Sequence, residues 1–172
     1  MNISWLDICN DRVVAPIGWR VQTANLALPL IAAEQMTIGT VMRTVITFGT
    51  FDVLHIGHVR ILQRAREQGD RLVVGISSDA LNFSKKQRNP VYPEQERRDI
   101  VAALGCVDEV FIEESLELKG EYIKEFGADA LVMGNDWEGR FDEFKSLCEV
   151  LYLPRTEGIS TTQLIAEIKK YG

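Results

Sequence analysis

Short β-branched runs alternate with stretches of helical apolar spacing along this chain, and that alternation restricts the folds open to it more than any other feature. The runs are 44–49, 71–77, 107–112, 130–133 and 149–153. The predicted helices are 57–68, 93–104, 118–126, 143–147 and 161–171. Strands separated by a helix pair in parallel, through right-handed crossovers. The expected architecture is α/β: a Rossmann-like, doubly wound, five-stranded parallel sheet with helices on both faces. Pro93 with acidic residues behind it opens one helix, Gly127 caps another, and Ser160 is the predicted N-cap of the last. Ligands bind such sheets at the carboxyl ends of the strands, where strand order reverses. The residues after the first, fourth and fifth strands are therefore the candidates for function.

The regular pattern starts at residue 43, so 43–172 reads as the domain and 1–42 as an N-terminal extension of unknown role. Met42 would make a natural start. In the extension Pro29 interrupts the apolar stretch 26–33. Asp7 and Asp11 offset Arg12 and Arg20, and the apolar part begins late, which argues against a secretory leader. The apolar share of 46% and charged share of 26% are those of a globular protein, which excludes a disordered or collagen-like chain. No run of about 18 apolar residues is present, so no membrane span is expected. A net charge of −6 argues against nucleic acid as a partner, yet leaves room for a local anion site. Cys9, Cys106 and Cys148 are odd in number and widely spaced, without a C-x-x-C pair. They read as reduced thiols of a cytoplasmic protein rather than as zinc ligands.

The first strand runs into Gly49-Thr50-Phe51-Asp52-Val53-Leu54-His55-Ile56-Gly57-His58. His55 and His58 are three apart at a helix start, so they share a face. Gly57 would leave space for a bulky ligand against the backbone. The helix N-terminus would add free N–H groups and a positive dipole end. Phosphate is the natural guest of such a site. After the fifth strand come Arg155-Thr156-Glu157-Gly158-Ile159-Ser160-Thr161-Thr162. Arg155 offers a permanent charge with forked donors, and Gly158 permits a tight turn. Ser160, Thr161 and Thr162 bring hydroxyls and amides to a second helix N-terminus. Two helix starts would then face one polyphosphate.

Gly-Thr-Phe-Asp followed by His-Ile-Gly-His resembles the nucleotidyltransferase superfamily that includes class I aminoacyl-tRNA synthetases. A synthetase does not fit, because the chain has no Lys-Met-Ser-Lys-Ser loop and no room for anticodon recognition. Arg155–Thr162, and residues 132–142 with Asp136 and Trp137, resemble the cytidylyltransferases, above all those acting on glycerol 3-phosphate. The resemblance covers about residues 43–170. It implies transfer of CMP from CTP to a polyol phosphate, with glycerol 3-phosphate as the expected acceptor and CDP-glycerol and pyrophosphate as products. It implies Mg²⁺ on the triphosphate, and a cytoplasmic homodimer. By the same resemblance His55, His58 and Arg155 are catalytic. Thr50, Phe51, Asp52, Gly57, Asp136, Trp137, Thr156, Gly158, Ile159, Ser160, Thr161 and Thr162 bind nucleotide. Lys85, in the loop after the second strand, Lys119 and Arg97 serve the acceptor. Gly105 and Leu116 depart from the family pattern, where an arginine and a tryptophan stand. Residues 102–108 are closer to adenylyltransferases acting on heptose 1-phosphate, so an adenylyl transfer to a sugar phosphate stays open. A non-catalytic nucleotide-binding protein is the alternative of a different class.

Overall fold

The computed structural model describes residues 42–171. The N-terminal extension and Cys9 lie outside the described residues. Five parallel strands, β1 (Thr44–Gly49), β2 (Arg71–Ser77), β3 (Glu109–Glu113), β4 (Ala130–Gly134) and β5 (Glu149–Leu153), form one sheet in the order β3-β2-β1-β4-β5. In register, Thr44 lies opposite Arg71, and Val45 opposite Ala130. Helices α1 (Ile56–Arg66), α2 (Asp79–Lys86), α3 (Glu94–Ala102), α4 (Lys119–Glu125) and α5 (Thr161–Ile168) connect or follow the strands.

The three inner strands are buried on both faces, which is why they read as unbroken apolar runs rather than alternating ones. Val45, Leu72, Val74, Ile76, Ala130 and Val132 pack on one face with Leu62 and Ala65 of α1 and Val101 of α3. Ile46, Phe48, Val73, Leu131 and Met133 pack on the other with Ile123 of α4 and Phe141. The expected doubly wound sheet is thus the observed one. Strand order reverses between β1 and β4, so a crevice opens at the carboxyl ends of those two strands.

Several boundaries differ from the sequence reading. β3 begins two residues late because Asp108 is engaged first. Its carboxylate accepts from the Leu72 amide at 2.7 Å, and its own amide donates to the Leu72 carbonyl at 3.0 Å. Residues 142–146 form a 3₁₀ segment, and Pro93 stands at the N-cap rather than inside its helix. The larger correction is α2, where the sequence reading had a loop. Ser78 Oγ caps it by accepting from the Leu81 amide at 3.0 Å. The Asn82 side-chain amide donates to the carbonyls of Ser77 and Ser78 at 3.0 and 2.9 Å. Among the described residues, no helix is long and apolar enough to cross a membrane. Cys106 and Cys148 are free thiols.

Candidate active site

β1 leaves the sheet through a backbone held in an uncommon shape. Phe51 and Val53 have φ of 50° and 46°, the left-handed region that costs a bulky or β-branched residue about 1–3 kcal/mol. Asp52 between them supplies the compensation. Its buried carboxylate accepts from the amides of Val91, Tyr92 and Val53 at 2.8, 3.0 and 3.1 Å. Its carbonyl accepts from the Thr161 hydroxyl at 3.1 Å. One residue therefore binds the loop ahead of α3 and the start of α5 to the end of β1. Thr50 is fixed as well, donating to Asn82 Oδ1 at 2.7 Å.

His55 is the N-cap of α1, and its Nδ1 accepts from the Gly57 amide at 3.1 Å. That assignment puts the ring proton of the neutral form on Nε2, which is then a donor. The His58 ring stacks on His55 at 3.8 Å between centroids and meets Phe51 edge-on at 5.4 Å. Burial lowers the His58 pKa to about 4, helped by His55 and Arg155 and opposed by Asp52. Burial and then Arg155 also hold His55 below its ordinary value. Both rings are therefore neutral donors at pH 7, not cations. His58 Nδ1 is buried without a hydrogen-bond partner among the described residues.

Two details of the sequence reading change here. Gly57 makes room for the His55 ring as well as opening onto the cleft wall. A Cβ there would lie 2.9 Å from that ring and 3.2 Å from Ile159 Cγ2. The start of α1 also offers fewer free amides than expected, because Gly57 donates to the His55 ring and His58 to the His55 carbonyl at 2.9 Å.

β4 and β5 deliver the opposing wall. The Arg155 amide donates to Asn135 Oδ1 at 3.3 Å, and its guanidinium lies 3.4 Å from Asp136 Oδ2. Gly158 adopts φ of 75°, a turn that glycine takes without strain. Ser160 Oγ accepts from the Gln163 amide at 3.2 Å as the expected N-cap of α5. The amides of Thr161 and Thr162 therefore precede the first one satisfied by the cap. Trp137 packs on Phe141 at 5.5 Å, with the Arg140 guanidinium 5.3 Å from the indole.

These groups line two adjoining hollows. A cleft of about 660 Å³ runs from His58, Arg155 and Ser160–Thr162 to a basic end with Lys85, Lys86 and Arg88. A smaller hollow of about 160 Å³ takes in His55, Gly57, Thr156 and Ile159, and shares Thr50, Phe51, Asp136 and Trp137 with the first. Of the predicted site residues, Gly158 and Arg97 line neither. The Arg97 guanidinium is wholly buried beneath the cleft. It donates to Thr50 O at 2.6 Å, Tyr92 O at 3.0 Å and Asp79 Oδ1 at 2.7 Å, so each of its three nitrogens is engaged by the protein. Arg97 braces the cleft floor instead of touching a substrate. Lys85 stands in the last turn of α2, not in a loop, and burial lowers its pKa. Lys119 lines the cleft but is spent in part on Glu113. Ser77, Asn82 and Glu113 are lining residues that the sequence reading missed, since it attended to strands one, four and five. Their signal was position: Ser77 and Glu113 end β2 and β3.

No group of three His, Cys, Asp or Glu side chains among the described residues is arranged to hold a metal ion. The Asp52 oxygens are taken by amides, and Asp136 pairs with Arg155.

The family model described as cytidylyltransferase-like matches residues 46–167. The chain belongs to the cytidylyltransferase-like family. A glycerol-3-phosphate cytidylyltransferase of Bacillus subtilis is 50% identical over 127 residues, which cover 74% of this chain and 98% of that one. Its counterpart in Staphylococcus aureus is 45% identical over 127 residues, 74% of this chain and 96% of that one. The bifunctional protein HldE of Nitratiruptor is 39% identical over 129 residues, but only 28% of that protein is covered. A lipopolysaccharide core biosynthesis protein from Thermoplasma volcanium shares the fold, with a TM-score of 0.62 at 23% identity, covering 67% of this chain and 99% of that one. The family match spans both histidines and Arg155, so the cleft of this cytidylyltransferase-like chain lies within the matched segment.

Proposed function

We propose that this chain transfers CMP from CTP to glycerol 3-phosphate, releasing pyrophosphate and forming CDP-glycerol. The relatives at 45–50% identity carry that name over nearly their whole length, which supports this acceptor over the sugar phosphates of the more distant HldE proteins. The observation that carries the reading is the neutral imidazole pair facing Arg155, with a separate basic end in the same cleft. One anion must be held while a second attacks it, and the cleft has a grip for each.

The acceptor phosphate has a second pKa of about 6, so it is already charged and needs no general base. One of its oxygens attacks the α-phosphorus. The bond from that phosphorus to the bridging oxygen breaks, and the electron pair leaves on pyrophosphate. Catalysis is positioning plus stabilisation of charge on the transferring group. His55 Nε2–H and the His58 ring donate to the α-phosphate oxygens. Neutral donors suit this task because they bind the growing charge without first losing a proton to it. Arg155, the amides of Thr161 and Thr162 and the hydroxyl of Thr162 hold the β- and γ-phosphates. Asp136 and Trp137 approach the ribose and base. Lys85 and Lys119 meet the acceptor. The described residues present no carboxylate cage, and Mg²⁺ is proposed to come with the triphosphate, where it would offset charge while the residues named here do the positioning. A cytoplasmic homodimer completes the proposal.

The direct test is pyrophosphate release with Mg²⁺ and CTP or ATP, against glycerol 3-phosphate and a panel of sugar phosphates. Turnover with CTP and glycerol 3-phosphate is expected. Turnover with ATP alone, or nucleotide binding with no turnover on any acceptor, would overturn the assignment. Sedimentation at about twice the chain mass of 19.4 kDa checks the dimer.

A further inference from the structure

β3 ends on Glu113, and its carboxylate, 1% exposed, forms part of the wall at the basic end of the cleft. Oε1 accepts from Lys119 Nζ, also 1% exposed, and Oε2 accepts from Ser77 Oγ at 2.7 Å. The Lys119 ammonium lies over the Phe48 ring, 3.7 Å from its centroid. Stability is a poor reason for such a pair. Burying both charges costs several kcal/mol, and apolar replacements of similar volume are often neutral or stabilising. The chemistry assigned above to the His55–Arg155 end of the cleft uses neither Glu113 oxygen.

We propose that Glu113 is a positioning residue for the acceptor: it keeps Lys119 charged and aimed where the phosphomonoester enters. The proposal rests on the reading that this end of the cleft takes glycerol 3-phosphate. Ser77 locks the carboxylate in one orientation, and the carboxylate with the Phe48 face fixes the ammonium. A buried ammonium without such a partner sheds its proton. Burial already draws Lys119 down to about 8, with Glu113 opposing and Lys85 adding to the fall. The charged groups around the pair are Lys85 and Lys86 on α2 and Glu117 beyond β3, which faces Lys85; Ser77 and Phe48 supply uncharged contacts. The sign follows. Lys119 is charged below about 8, so acceptor binding weakens as pH rises through that value, and at lower pH once Glu113 is gone.

The experiment compares the full-length protein with Glu113→Gln and with the double variant Glu113→Leu/Lys119→Met. Near neutral pH, Glu113→Gln should raise KM for glycerol 3-phosphate about tenfold while KM for CTP stays within about twofold. The basic limb of kcat/KM for the acceptor should move to lower pH. The double variant should regain the wild-type melting temperature yet keep the raised acceptor KM. It therefore answers the question even if the single variant does not fold. A double variant that recovers both stability and acceptor KM would mean a merely structural pair and overturn the proposal, as would an equal rise in both KM values. If the wild type releases no pyrophosphate from CTP and glycerol 3-phosphate, the proposed function fails instead. The Glu113 claim is then read from lysine-side-chain NMR, where an unchanged Lys119 midpoint in Glu113→Gln overturns it.

Discussion

His58 keeps its neutral form through a pH range in which a free imidazole takes up a proton. An NMR titration of the unliganded protein should give a midpoint near 4 for His58, against about 6.5 for a free ring; a midpoint above about 7 would remove the neutral-donor mechanism. The stability consequence has a definite sign. The folded pKa lies below the unfolded one, so the contribution is whole above about 6.5 and is lost as pH falls toward 4. His58→Gln should flatten that part of the stability curve. Arg97 shows the limit of reading residues singly. A motif match suggested a substrate contact, yet three hydrogen bonds bury its guanidinium under the cleft. Arg97→Lys should cost about 1.5–3 kcal/mol in urea unfolding, because a lysine cannot reproduce the fork of hydrogen bonds to Thr50, Tyr92 and Asp79. A loss of activity at unchanged stability would return Arg97 to the substrate.

At the scale of elements, α5 works through its first turn. Its cap was legible, because Ser160 precedes an apolar helical pattern. Its tie to β1 was not: Thr161 donates to a carbonyl 109 residues away. Thr161→Val should raise KM for CTP about tenfold, through drift of the phosphate-binding turn, while Thr161→Ser restores it. Equal kinetics for both variants would show that the tie is dispensable. α2 is the element that the sequence reading lost. It is one eight-residue helix of mostly polar side chains, too short for periodicity to stand out, and only Ser78 announced it. That omission put Lys85 in a loop, when a helix end positions it. β3 and the helix start at Lys119 were read nearly in place, but nothing local tied Glu113 to Lys119.

For the whole molecule, the described residues contain two hydrophobic layers and a cleft lined by the histidine pair, Arg155 and the basic end. The Bacillus subtilis relative is matched over 98% of its length by 127 residues of this chain. A protein shortened to begin at Met42 is therefore expected to keep pyrophosphate release within about twofold of the full chain, with cooperative unfolding retained. Loss of turnover or of the cooperative transition would give the extension a part in the domain. The sequence by itself determined the layer architecture, since the period of apolar residues and the alternation of elements are local properties that parallel pairing converts into one topology. It determined the histidine and Arg155 motifs for the same reason: each is a short contiguous stretch at the end of one strand. Only the tertiary structure decided which side chains line the cleft and which brace it from beneath. Burial and hydrogen-bond partners come from strands far apart in sequence, so Asp52 became a tie between loops, Arg97 a brace, and Glu113 the partner of Lys119.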